Sequence, residues 1–108
     1  MNKIFDIYGG ETNDLQLCRE VIQSALGVQL EAHESSYLGN YYRWGKQYGE
    51  ELILQKNYDE SEQEFREERF KDFRTLLYVN LFSDPDEVRR RLAACSDQMV
   101  FLERKELI

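Results

Sequence analysis

The single histidine of the chain, His33, stands among acids, with Glu31 two residues before it and Glu34 just after. An imidazole beside carboxylates is what a general base near neutral pH requires. A reaction would also need a nucleophile and donors for the developing charge, and the sequence identifies neither. Gly9-Gly10, between a strand pattern and a helix pattern, is the place for a phosphate-binding turn. Neither G-x-G-x-x-G nor G-x-x-x-x-G-K-[ST] is present, and Glu11 and Asp14 would repel an anion there. A plain strand-to-helix turn is the simpler reading. The dense acids Asp59, Glu60, Glu62 and Glu64 suggest calcium, yet the turn glycine and terminal bidentate glutamate of an EF-hand loop are missing. No metal and no cofactor is expected.

Two features survive this sifting. Residues 57–73, NYDESEQEFREERFKDF, hold seven acids and three bases, a local charge of −4 within an overall −7. Tyr37, Tyr41, Tyr42, Trp44 and Tyr48 form an aromatic cluster around Arg43. On alternating strands about half of such a cluster faces the core. The remainder has the Tyr, Trp and Arg composition of protein-interface hot spots. Stacking on single-stranded nucleic acid is the rival use, but it requires a basic groove that this acidic chain lacks.

These residues must be positioned by regular elements. Lys3–Tyr8 reads as a first strand. Thr12 or Asn13 is expected to cap a helix whose stripe is Leu15, Cys18, Val21, Ile22, Ala25 and Leu26, ending at Gly27. Val28, Leu30 and Ala32 alternate with Gln29, Glu31 and His33, the period of a strand with one wet face. Tyr41–Trp44 and Glu51–Gln55 follow as strands separated by glycine-containing turns. A long polar loop is expected over Asn57–Phe73, of a kind that is often functional or mobile. Thr75–Leu81 is nearly continuous in apolar residues and reads as a central strand. Asp84-Pro85-Asp86-Glu87 is a strong helix start, continued by Val88, Arg91, Leu92 and Cys95. Met99–Leu102 is a last strand before a charged tail, Glu103–Glu106.

The expected fold is therefore α+β, in the order β-α-β-β-β-loop-β-α-β. A mainly antiparallel sheet of about six strands would carry two helices on one face. With 108 residues, 42% of them hydrophobic, the chain is expected to form one domain with one core. No stretch approaches the roughly 20 apolar residues of a membrane-spanning helix. The N-terminal residues lack a secretory apolar run, so a cytoplasmic location is expected. Cys18 and Cys95 are expected to be free, buried thiols. The acidic balance disfavours nucleic acid and anionic membranes and favours a basic partner.

Ser36-Tyr37 with Gly39 and Tyr41-Tyr42-Arg43, Gly49–Asn57, Leu76–Asn80 and Asp84–Glu87 together resemble small bacterial proteins associated with toxin loci. The chain is similar in kind to the immunity proteins of polymorphic-toxin and contact-dependent growth inhibition systems. That resemblance implies a cytoplasmic protein, not an enzyme, that binds and blocks the toxic C-terminal domain of a cognate effector, often a nuclease. Nucleases grip phosphates with basic clefts. Asp59, Glu60, Glu62, Glu64, Glu67 and Glu68 are accordingly expected to supply charge complementarity, and Tyr41, Arg43, Trp44 and Tyr48 to anchor the partner. The competing readings are a small enzyme using His33 and an adaptor subunit unrelated to toxins.

Overall fold

The first strand, β1 (Lys3–Gly10), runs through the Gly9-Gly10 pair expected to end it. Close approach explains this. A Cβ on Gly9 would lie 2.6 Å from the Phe73 ring, so only glycine lets that ring lie on the strand. Helix α1 (Leu15–Leu26) is capped by Asp14, whose side chain accepts from the Leu17 N–H. Thr12, one of the two expected caps, instead accepts from the Asp14 N–H and forms the turn before the helix. Gly27 closes the helix in the left-handed conformation at φ 66°.

The structure, a computed structural model, describes residues 2–36, 39–95 and 98–108. Among them the remaining elements are β2 (Glu31–Ser35), β3 (Gly39–Gly45), β4 (Glu51–Lys56), β5 (Tyr58–Asp59), β6 (Glu64–Phe65), a 3-10 turn (Glu68–Phe70), β7 (Thr75–Asn80), α2 (Pro85–Cys95) and β8 (Val100–Leu107). Six strands form one sheet in the order β2-β3-β4-β7-β1-β8, every pair antiparallel. The mixed α+β architecture with two helices is the one expected from the sequence. No helix among the described residues is long and apolar enough to cross a membrane.

Alternation along the strands assigns the two faces. Tyr8, Leu52, Leu54, Leu77 and Val79 pack against Cys18, Ile22 and Ala25 of α1 and Val88 and Leu92 of α2 in one buried cluster. Cys18 is a free, buried thiol, whereas the side chain of Cys95 lies outside what is described. Beneath the start of α2, Asp6 is fully buried and takes a two-pronged hydrogen bond from Arg104 at 2.9 and 3.0 Å. Arg104 also reaches Asp86 on α2 at 2.9 Å, so one guanidinium ties β1, β8 and the helix together. Both carboxylates raise its pKa, the bond to Asp6 most, and it stays charged.

Three further expectations change. The second strand begins at Glu31, not Val28. Leu30 is buried just before it, while Glu31–Glu34 are exposed on both sides because β2 is an edge strand. The charged tail after Leu102 is not a tail. It extends β8 to Leu107 and pairs with β1 as the other edge. The polar loop over Asn57–Phe73 is folded. Asn57 is fully buried, and its Nδ2 donates to the carbonyls of Phe70 and Phe73 at 3.0 and 2.9 Å while its Oδ1 accepts from the Glu67 N–H at 2.9 Å. Its backbone N–H bonds to Arg74 and its carbonyl accepts from Arg66. One residue thus holds both ends of the excursion and its middle.

Two stability measurements check these anchors. Asn57→Ala leaves several buried groups unpaired and should cost about 2–4 kcal/mol by denaturant unfolding, with hydrogen-exchange protection lost first across 58–73. Arg104→Met strands a buried carboxylate and should cost about 3–5 kcal/mol, more than the exposed pairs of Glu87 with Arg90 and Arg91 contribute.

Candidate protein-binding site

The excursion lies on the sheet face opposite the helices. Phe73 covers Gly9, and the Tyr78 hydroxyl donates to Glu67 Oε1 at 2.9 Å. Arg69 donates to both carboxylate oxygens of Glu103 on β8, at 2.7 and 2.8 Å, and to Glu67 at 3.3 Å. Burial raises the Tyr78 phenol pKa, the Glu67 carboxylate raises it further, and a hydrogen bond from Gln55 partly offsets both. The same Arg69 lowers the pKa of Glu103.

From this base the β5–β6 hairpin projects. Its tip is set by Asp59, whose Oδ1 accepts from the Ser61 N–H and hydroxyl at 3.0 and 2.7 Å and from the Glu62 N–H at 3.3 Å. Arg66 pairs with the other Asp59 oxygen at 3.4 Å. These donors hold the Asp59 carboxyl below its usual pKa, the Ser61 hydroxyl being the largest cause. Tyr58 and Phe65 meet edge to face with centroids 5.1 Å apart, joining the two arms.

The acids expected to bind a partner therefore divide. Asp59 and Glu67 are committed to internal bonds and are only partly exposed. Glu60, Glu62, Glu64 and Glu68 are exposed, and none forms an ion pair among the described residues.

The aromatic set divides as well, because adjacent residues of a strand face opposite ways. Tyr41 and Arg43 point to the excursion side. Tyr41 stacks on His33 of β2 with centroids 5.5 Å apart and planes 20° apart. Arg43 donates to Glu51 Oε2 through Nε and Nη2 at 3.0 and 2.8 Å, and Glu51 also accepts from Asn80 at 3.2 Å. Trp44 turns to the helix side and meets Phe82 at 5.9 Å, half-buried in a shallow apolar groove with Leu26, Val28 and Val88. Tyr42 shares that side, under Arg19 and bonded to Gln16. Tyr48 is 89% exposed in the β3–β4 turn and holds a left-handed φ of 64°. Gly45 opens that turn at φ 101°, where a Cβ would collide with the Glu50 carbonyl. Tyr37 lies outside the described residues.

Tyr41, Asp59 and Glu60 do come together. They line a cleft of about 670 Å³ between the N-terminus of α1, the β2–β3 hairpin and the β5–β6 hairpin, with His33, Tyr58 and Arg66 also on its walls. Trp44 and Tyr48 are at the far end of β3 and do not contribute. His33 sits 3.9 Å from Glu31 on the exposed edge strand. The described residues contain no group of three or more His, Cys, Asp or Glu side chains placed to hold a metal ion.

Sequence reasoning missed Asn57, Gln55 and Glu103 as residues that build the site. Gln55 could have been suspected, since it takes a place in a strand pattern where Ile53 precedes it on the same face. Glu103 carried no such signal. No protein-family model, no curated protein and no solved structure matches the chain.

Acid should act on this site through Asp59 and Glu103. Both have folded pKa values below their usual ones, so their stabilising contribution is complete above the usual carboxylate range. It is lost as pH falls through the depressed folded values, below about pH 4. Hydrogen exchange at falling pH should show residues 58–70 opening before β1 and β7. Glu103→Gln should open them already at neutral pH and flatten the remaining pH dependence.

Proposed function

We infer that this chain is a cytoplasmic immunity protein, acting by binding and not by catalysis. It neutralises the toxic C-terminal domain of a cognate bacterial effector, a domain with a basic, phosphate-gripping surface such as a nuclease presents. The observation that carries the reading is the state of Glu60, Glu62, Glu64 and Glu68. They are four exposed carboxylates with no counterion among the described residues, on a segment whose base is pinned by Asn57. Charge held on an ordered support costs less conformational entropy on binding than charge on a loose loop. It also steers a basic partner during encounter.

Tyr41 and Arg43 lie on the same side of the sheet and supply anchoring contacts beside the charged ones. Trp44 and Tyr48 would contact a partner only if it also reached the far end of β3.

The test uses the product of the gene beside this chain's own, which the reading expects to end in a toxic, basic domain. Replacing Glu60, Glu62, Glu64 and Glu68 together by lysine should weaken binding about a hundredfold or more at low salt. It should also flatten the salt dependence of the association rate. Unchanged affinity and an unchanged salt slope would defeat the reading. So would a neighbour that is not toxic and binds stably, which is what an adaptor subunit would show.

A further inference from the structure

Beneath the acidic hairpin the side-chain oxygen of Gln55 has no donor among the described residues. Gln55 is 5% exposed, and its Oε1 is buried without a hydrogen-bond partner. A buried acceptor left unpaired is costly, and native structures keep few of them without a ligand or a role to explain it. Gln55 lines a groove of about 320 Å³ together with Glu62, Glu64, Phe65, Glu67 and Tyr78. Asp59 and Arg66 close one wall as an ion pair at 3.4 Å.

The lining is net negative. Arg66 is matched by Asp59, and beyond that pair three carboxylates and one amide oxygen line the groove. The Tyr78 hydroxyl already donates its hydrogen bond to Glu67. What fits is therefore a cation carrying several N–H donors. Bare metal ions suit the site poorly, because no three of its acids converge with the spacing a metal needs. A guanidinium suits it well. Its planar fork bonds carboxylates two at a time, a further N–H is free for Gln55 Oε1, and its flat face can lie on the Phe65 ring. An ammonium has neither the fork nor the face.

We propose that this groove receives an arginine side chain of the protein partner, with Gln55 Oε1, Glu62 and Glu64 as the groups that take its guanidinium. The proposal rests on the reading of the chain as a binder of a basic protein and gives that surface a specific pocket. The hairpin then does more than present charge outward. It encloses one residue of the partner and supplies the missing donor to Gln55.

The experiment is an NMR titration of the isotopically labelled chain with three probes: the peptide acetyl-Gly-Arg-Gly-amide, its citrulline counterpart, and calcium chloride. The arginine peptide should shift the Gln55 side-chain amide and the Phe65 and Tyr78 signals saturably, and the citrulline peptide should bind at least about tenfold more weakly. Gln55→Met, and separately Glu62→Gln with Glu64→Gln, should each weaken the arginine peptide by about tenfold or more. Glu20→Gln with Glu34→Gln, exposed and not lining the groove, should leave it within about twofold. The two glutamate variants alter exposed residues, so they keep the test valid should Gln55→Met fold poorly. No saturable shift, an equal response to citrulline, a response to calcium alone, or binding that survives both groove variants overturns the proposal. If the toxin domain loses affinity for the lysine variants at Glu60 and Glu68 but binds Gln55→Met normally, the groove falls while the immunity reading stands. If the arginine peptide obeys every expectation and no toxin is neutralised, the immunity reading falls while the groove stands.

Discussion

Everything on the excursion face depends on the side-chain amide of Asn57. Strands β4 and β7 are neighbours in the sheet, with Lys56 opposite Thr75, so a tight turn could have joined them. Residues 57–74 are instead inserted at that point, and closing so long a loop costs entropy that its own contacts must offset. Asn57 concentrates those contacts. Two of its amide hydrogens, its side-chain oxygen and both its backbone groups are bonded within the excursion and its base. Asparagine suits the position because a short side chain offering both donors and an acceptor can bond three strands of backbone at once. Aspartate would offer no donor.

A second set of interactions fixes where that platform lies. Arg69 bridges the 3-10 turn to β8 through Glu103, and Tyr78 reaches up from β7 to Glu67. On the other face Arg104 performs a similar task for α2 through Asp6 and Asp86. The acidic excess of the chain is thus two populations. Asp6, Glu51, Asp59, Glu67 and Glu103 have cationic or hydroxyl partners and hold the structure together. Glu60, Glu62, Glu64 and Glu68 have none among the described residues and are free to act on another molecule.

The two edges of the sheet show how charge also serves negative purposes. Strand β2 carries Glu31 and Glu34 with both of its sides exposed, and β8 runs through Glu103-Arg104-Lys105-Glu106. Charged residues on an edge discourage pairing with another chain's strand. That is why β8 looked like a polar tail. Its side chains obey the rule for edges, and only the backbone ladder to β1 reveals a strand.

The sequence by itself determined the α+β class, the order of the six sheet strands along the chain, both helices and the central position of β7. Apolar periodicity and cap residues are local signals, and Gly27 and Asp84 are read without knowing what they pack against. It also located the acidic segment and the aromatic run. Tertiary structure alone decided which of those residues can work together. Strand alternation sent Tyr41 and Trp44 to opposite faces, and the register of β3 put Tyr48 far from the hairpin. Hydrogen bonds between residues distant in the chain drew Glu67 inward and left Glu62 and Glu64 over the orphaned oxygen of Gln55. Composition records how many charges a segment carries. Whether a charge is spent on the protein or offered to a partner depends on what lies across the fold from it.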